Sequence, residues 1–343
     1  MEKKNVKKTK TQPTLEELSQ LTAFSTVQET ELNWLWYPYI PLGKVVILCG
    51  DPGVSKTTLA LKLACMVSNG SKLPFMENNI PKGKVVFENL EDNKSDTIKP
   101  RILKMGGDCD NIYYNSKVSK LKISDVKRIV HIVRTQEPTL FILDPIQSFL
   151  EGKTNSNNVN EIRELLEPIV KIANRGKCTF LIVMHLNKSS DKKALYRALG
   201  SIDFMGVARS VLYLAEDPSE KGEILLENIK NNLAPKGNTI KYKITKDHGI
   251  EFLEDLGNIT IEEITSMYNP DFIPKGKDLA KRFIKAELNY CLNKTEGLSS
   301  KYLQDKAKML GIAQATFDRA KKELCVDTYY NDEYKEHYCR LNS

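Results

Sequence analysis

Residues 50–58 read G-D-P-G-V-S-K-T-T and follow the apolar run V-V-I-L-C at 45–49. Successive backbone N–H groups in such a loop can form a concave anion nest that opens into a helix N-terminus, whose dipole also favours negative charge. Gly50, Asp51, Pro52, Gly53, Val54, Ser55, Lys56, Thr57 and Thr58 then cradle phosphate. The two glycines give a tight turn, Lys56 reaches the outer phosphates and Thr57 holds Mg²⁺. One residue departs from the pattern, because Ser55 stands where glycine usually precedes the lysine. A β-carbon there is tolerated only if the residue has negative φ and faces away from the phosphates, and the sequence does not fix that φ.

Three further stretches could complete phosphoryl chemistry. T-L-F-I-L-D at 139–144 is an apolar strand ending in Asp144, placed to hold a metal's water shell beside a nucleotide crevice, or equally to cap a helix before Pro145. K-V-V-F-E-N-L-E-D-N at 84–93 ends in an acidic cluster in which Glu91 and Glu88 compete to orient an attacking water. T-F-L-I-V-M-H at 179–185 places His185 at a strand end, either as a hydrogen-bonding sensor of phosphate or as a structural histidine.

Positioning these groups requires strands followed by helices. Apolar strand patterns at 44–49, 84–88, 139–144 and 178–184 alternate with helical periodicity at 56–69, 94–106, 124–135 and 159–175, which predicts an α/β fold with parallel strands and crossover helices. Shorter strands at 211–215, 223–230 and 240–245 predict an antiparallel extension of the same sheet. The expected division is a basic disordered tail at 1–13, an ATPase domain at 14–254, a linker at 255–277 carrying Gly, Asn and Pro, and a small helical domain at 278–343.

The chain has 343 residues, 41% apolar and 28% charged, a globular balance that excludes a disordered protein. A formal charge of +7 permits nucleic-acid binding. Seven cysteines stand singly, without zinc-ligand spacing, and read as reduced thiols. No stretch has the form of a signal peptide or reaches the roughly 20 residues of a membrane span, so a cytoplasmic location is expected.

The four elements in this order resemble the RecA-like ATPases, and more closely the hexameric RepA-type replicative helicases and related AAA ATPases of phages and plasmids. The resemblance runs from about Trp34 to the end. It rests on W-L-W-Y-P-Y-I-P-L-G-K leading into the loop, F-E-N-L-E-D-N, L-D-P-I, M-H-L-N-K, A-L-Y-R-A-L-G-S-I-D-F-M-G-V-A-R-S-V-L and I-K-N-N-L-A-P. It implies ATP and Mg²⁺ as ligands, a RecA-like mainly parallel sheet flanked by helices, and a homo-hexameric ring acting on DNA alongside replication proteins. Lys56 and Thr57 become phosphate and metal ligands, Asp144 the second metal-side acid, Glu91 the favoured catalytic carboxylate and His185 the sensor. Arg209 matches an arginine reaching across a subunit interface, with Lys230 a second candidate and Arg197 the runner-up.

Loops after the metal-side acid and the sensor strand line the channel in such rings. Here they are 151–158 and 187–194, and Lys188, Lys192 and Lys193 could meet a single strand's phosphates or belong to an ordinary exposed loop. The C-terminal stretch 299–324 resembles a helix-turn-helix within a winged-helix module. Leu303, Ala307, Leu310, Ile312, Phe317, Ala320 and Leu324 are its expected core. Lys306, Lys308, Gln314, Arg319, Lys321 and Lys322 are expected outside, where they could dock duplex DNA or a protein partner. Ala313 stands where a serine or threonine cap is expected. A recombination mediator and a non-motor ATP-dependent regulator are the competing functional classes.

Overall fold

The computed structural model describes residue 19 and residues 21–341 apart from 117–119, 151–158, 187–201, 248, 269–276, 290 and 292–296. The basic tail and the candidates Lys188, Lys192, Lys193 and Arg197 lie outside the described residues. Residues 1–33 form a unit of their own, whose described part holds a single 3₁₀ turn, Phe24–Thr26. Trp34 to Ser343 form the second.

In that second unit the W-L-W-Y-P-Y-I-P segment folds as a two-stranded ribbon, β1 (Trp34–Trp36) and β2 (Ile40–Pro41). It is anchored rather than exposed: the Trp36 indole donates to Pro74 O at 3.1 Å and the Tyr39 hydroxyl to Asn238 O at 2.9 Å. Next come β3 (Val45–Gly50), β4 (Val85–Asn89), β5 (Ile112–Tyr113), β6 (Leu140–Asp144), β7 (Thr179–His185), β8 (Ser210–Glu216), β9 (Glu223–Asn231), β10 (Ile240–Ile244) and β11 (Ile250–Asp255). They form one nine-stranded sheet in the order β11-β10-β9-β8-β3-β7-β6-β4-β5. Strands β8 to β5 in that order run parallel, and β9 to β11 continue antiparallel. The first strand of the expected antiparallel extension therefore belongs to the parallel part, since β8 pairs with β3 through Val46↔Ser210 to Gly50↔Leu214.

Helices α1 (Lys56–Asn69), α2 (Lys99–Lys104), α3 (Val126–Gln136), α4 (Val159–Gly176) and α5 (Ile202–Val207) cover the sheet. Alternation along β3 divides the core: Val46 and Leu48 pack with Leu59, Leu63 and Val67 of α1, and Val45 and Ile47 with Ile129, Ile169 and Ala173 on the other face. The stretch read as a linker is corrected in its first half. Residues 250–255 complete the sheet, and α6 (Ile261–Tyr268) follows, with Ile259, Ile261 and Ile264 buried in the main core. Thr260 caps this helix reciprocally with Glu263, so the chain here is ordered by both burial and capping.

The C-terminal part runs α7 (Lys277–Asn289), β12 (Leu298–Ser299), α8 (Ser300–Met309), α9 (Gln314–Glu323), β13 (Val326–Asn331) and β14 (Glu336–Leu341), with an antiparallel three-stranded sheet of order β12-β14-β13. Leu303, Ala307, Ile312, Phe317 and Ala320 are buried together with Phe283, Ile284 and Cys339, and Leu324 packs partly against them. Leu310 departs from the expected core at 51% exposure, because it forms the exposed end of α8 just before the left-handed Gly311. Ala313 does occupy the N-cap of α9 and makes no side-chain cap. Among the described residues no helix is long and apolar enough to cross a membrane.

Candidate active site at the strand ends

Register brings the expected residues to one edge. Gly50 is paired with His185 on one side and Leu214 on the other, and Asn89 with Asp144, so the carboxyl ends of β3, β7, β6 and β4 share the same end of the sheet. In open α/β sheets that end is where ligands bind.

The loop from β3 into α1 is shaped by three local demands. Gly50 is needed for close approach, since a β-carbon there would lie 2.6 Å from Leu214 O and 2.8 Å from Val54 Cγ2. Gly53 supplies positive φ, +90°, with open space beside it. Ser55 supplies the second left-handed position, with φ 57° and ψ 34° at the N-cap of α1 and no side-chain cap. The condition of negative φ at Ser55 is not met: the loop keeps the geometry glycine would adopt, and the serine bears a left-handed cost of about 1–2 kcal/mol. Ser55→Gly is expected to stabilise the protein by up to about 1 kcal/mol, the relief being partly offset by glycine's freedom when unfolded. Chemical denaturation checks this, and ATPase rate should change less than about threefold because the loop's backbone path is already left-handed.

Lys56 is buried at 4% exposure, and its ammonium donates to Gly50 O at 3.0 Å and Asp51 O at 2.7 Å. Burial holds it below the usual lysine range, opposed by neighbouring Cys49, Asp144, Asp51 and Glu91. Asp144 is 1% exposed, and burial pushes its carboxyl up against the hydrogen bonds it accepts from the Thr57 hydroxyl and the Asn89 amide. It does not cap a helix: the 3₁₀ turn Ile146–Phe149 is preceded by Pro145, and the Asp144 side chain faces the phosphate loop.

Of the two competing glutamates, the structure brings Glu91 to the loop and sends Glu88 elsewhere. Glu91 Oε1 lies 4.0 Å from His185 Nε2, and both side chains are about half exposed at 53% and 41%. Burial and the Lys56 charge hold His185 below its usual value, against the pull of Glu91. The Glu88 carboxylate is buried at 2% exposure and accepts from Asn115 N at 2.6 Å.

Asn89 is not among the expected site residues, yet it organises this end. Its amide nitrogen donates to Asp144 Oδ2 at 3.0 Å, while its oxygen accepts from Glu91 N at 3.1 Å and Asp92 N at 2.7 Å. Arg101 of α2 pairs with Asp92 at 3.6 Å. The signal that could have found it, an asparagine two residues before a strand-end acid, is an Asx-turn pattern.

Two of the trans candidates, Arg209 and Lys230, lie at the opposite end of the sheet. Arg209 N donates to Val45 O at 3.0 Å, five strand steps or roughly 16 Å from Gly50. Arg209 is exposed, and Lys230, across β8–β9, donates to Met205 O at 2.6 Å. Burial, then the charge of Arg209, holds Lys230 below its usual range. In the C-terminal part Arg319 and Lys322 are exposed on α9, whereas the Lys321 ammonium lies 3.1 Å from Cys339 Sγ and Lys306 pairs with Glu287 at 2.9 Å.

ATP and Mg²⁺ fit the residues present. The Thr57 hydroxyl and the Asp144 carboxylate face one another as oxygen donors, and among the described residues no cluster of three or more His, Cys, Asp or Glu could hold a metal alone. Mg²⁺ is bound in this way, through one or two protein oxygens completed by phosphate and water.

Sheet order, strand-end acids and loop together define a RecA-like phosphate-loop ATPase fold. The chain belongs to the AAA_25 family, an AAA domain, over residues 11–191. It is similar to "DNA repair protein RadA" of Halalkalibacterium halodurans, 25% identical over 69% of this chain and 46% of that protein. The protein of the same name from Aquifex aeolicus is 21% identical over 64% of this chain and 44% of its own length. The chain thus spans less than half the length of these relatives. Among solved structures it is similar to "The Structure Of A DnaB-Like Replicative Helicase And Its Interactions With Primase", with TM-score 0.47 and 16% identity over 62% of this chain and 58% of that one.

Proposed function

We infer that this chain hydrolyses ATP as a ring-forming motor on single-stranded DNA, in the manner of a replicative helicase of a mobile element. The observation that carries this reading is the separation of parts. Lys56, Thr57, Asp144, Glu91 and His185 converge at the carboxyl ends of the strands, while the exposed Arg209 stands at the other end, too far to serve its own loop and free to face a neighbour's.

Residue by residue, the loop's N–H groups and Lys56 bind the triphosphate, and Thr57 and Asp144 hold Mg²⁺. When bound, Mg²⁺ neutralises charge on the outer phosphates. Glu91 orients and polarises the attacking water, held at its station by the Asn89 oxygen on its backbone N–H. His185, 4.0 Å from Glu91 and within the field of Lys56, reports whether a γ-phosphate is in place. Arg209 of the adjacent subunit supplies the cation that stabilises transferring charge.

The module with helix, strand, two helices and a hairpin supports a winged-helix reading, with Arg319 and Lys322 as its exposed cations toward duplex DNA or a protein partner. A second reading, a recombination mediator, is favoured by the similarity to proteins named DNA repair protein RadA.

ATPase activity is expected to rise with single-stranded DNA and, per chain, with protein concentration. Absence of both would overturn the motor reading. Unwinding of a forked duplex separates motor from mediator, with Lys56→Ala as the inactive control.

A further inference from the structure

A cavity of about 320 Å³ opens beside β4 and β5, with no residue of the phosphate loop in its lining. Its volume is within the range of small-molecule sites, roughly 300–1,000 Å³. Phe87, Ile98 and Ile102, all buried, form an apolar floor. Lys94, Lys99 and Tyr114 stand at the rim, the last two exposed. No aspartate or glutamate is among the described residues lining it, so Lys94, which also acts on the buried Glu88, and Lys99 are the charged groups of its lining.

The backbone around the cavity is unusual. Residues Lys94–Ile98 form a π-helical turn, closed by Ile98 N donating to Asn93 O at 3.0 Å. Such wide turns are rare and concentrate at functional sites. This one supplies Lys94, Ser95 and Ile98 to the wall.

The wall is shared with the catalytic end. Asn89 lines the cavity, and its side chain holds Asp144 and the N–H groups of Glu91 and Asp92. The Lys94 ammonium donates to Asn89 O at 3.0 Å and lies 5.7 Å over the Tyr114 ring. Helix α2, which provides Ile102, reaches Asp92 through Arg101 at 3.6 Å.

We propose that this cavity binds a small planar aromatic molecule bearing one anionic group, its rings on Phe87, Ile98 and Ile102 and its anion between Lys94 and Lys99, and that occupancy is felt at Glu91 through Lys94 and Asn89. An anion that draws Lys94 off the Asn89 carbonyl loosens one tie on the Glu91 loop, while rings filling the floor brace the π-turn and α2. The site itself stands without the hydrolytic reading; only its consequence for turnover rests on that reading.

The probe is anilinonaphthalene sulfonate, an aromatic sulfonate that fluoresces in apolar surroundings, titrated into the full chain. Saturable one-site binding is expected. Lys99→Glu should weaken it at least about tenfold, and Ser95→Trp, at an exposed position on the mouth, should abolish it. Lys322→Glu, on the distant α9, should leave it unchanged. Equal binding in all variants, or equal loss in Lys322→Glu, overturns the site.

Hydrogen exchange gives the second arm. The Glu91 and Asp92 amides should exchange at least about threefold faster with the dye bound to the wild type, as expected when Lys94 leaves the Asn89 carbonyl, and show no change in Ser95→Trp. Dye binding without that change overturns the coupling. Neither arm needs hydrolysis, so a chain that binds the dye yet never turns over ATP would refute the ATPase reading and leave the cavity assignment standing.

Discussion

Glu91→Gln is expected to lower kcat for ATP hydrolysis by about 10²–10³-fold while leaving ATP affinity within about threefold. The amide keeps the size and one hydrogen-bond acceptor of the carboxylate but can no longer draw a proton from water. Binding rests on other groups, the loop N–H donors, Lys56 and the Thr57–Asp144 pair, on which the charge of Glu91 is a lesser influence than burial. Glu88→Gln is the matched control. Glu88 is buried, accepts from Asn115 N, and is already pushed up by burial, so its variant should turn over within about threefold of wild type. Single-turnover rates and nucleotide titrations of both variants decide the matter. A larger loss in Glu88→Gln would exchange the two assignments.

Arg209→Ala is expected to lose about 10³-fold or more in kcat in an assembled ring, with nucleotide binding retained. The sharper form of this prediction is a mixture. Lys56→Ala subunits have a dead loop and an intact Arg209; Arg209→Ala subunits have the reverse. If the arginine acts across an interface, a site whose loop comes from one variant and whose arginine comes from the other is whole. Random mixing in equal amounts makes about one interface in four complete, so activity should recover to roughly a quarter of wild type. Activity no higher than the sum of the separate variants would show that Arg209 does not complete a neighbour's site. Lys230→Ala should fall by much less, because its ammonium is occupied by the Met205 carbonyl on its own subunit.

The parallel core was legible because hydrophobic runs and helical periodicity alternate cleanly: the expected strand 139–144 appears as Leu140–Asp144, and the helix 56–69 as Lys56–Asn69. Other features were hidden for identifiable reasons. Ser55 adopts positive φ because the loop's path, fixed by Gly50 against Leu214 and by the start of α1, overrides the serine's own preference. Asn89 reads as filler within an acidic cluster until β4 is laid beside β6, a pairing between residues far apart in sequence. The direction of β8 is likewise absent from V-L-Y-L-A, whose alternation suits either orientation. Gly257 and Asn258 look like linker punctuation and mask the apolar triad Ile259, Ile261 and Ile264, which ties 255–268 to the core.

One strand joins the two ends of this chemistry. β8 begins at the residue after Arg209 and reaches Leu214, whose carbonyl closes on Gly50 at the mouth of the phosphate loop. It is hydrogen-bonded on both sides, to β3 and to β9, and so behaves as a stiff strut rather than a spring. A pull on Arg209 by phosphate in the next subunit would therefore arrive at this subunit's own loop, about five residues away, with little lost to bending. If the chain assembles as proposed, occupancy of one site would by this route be felt at the next.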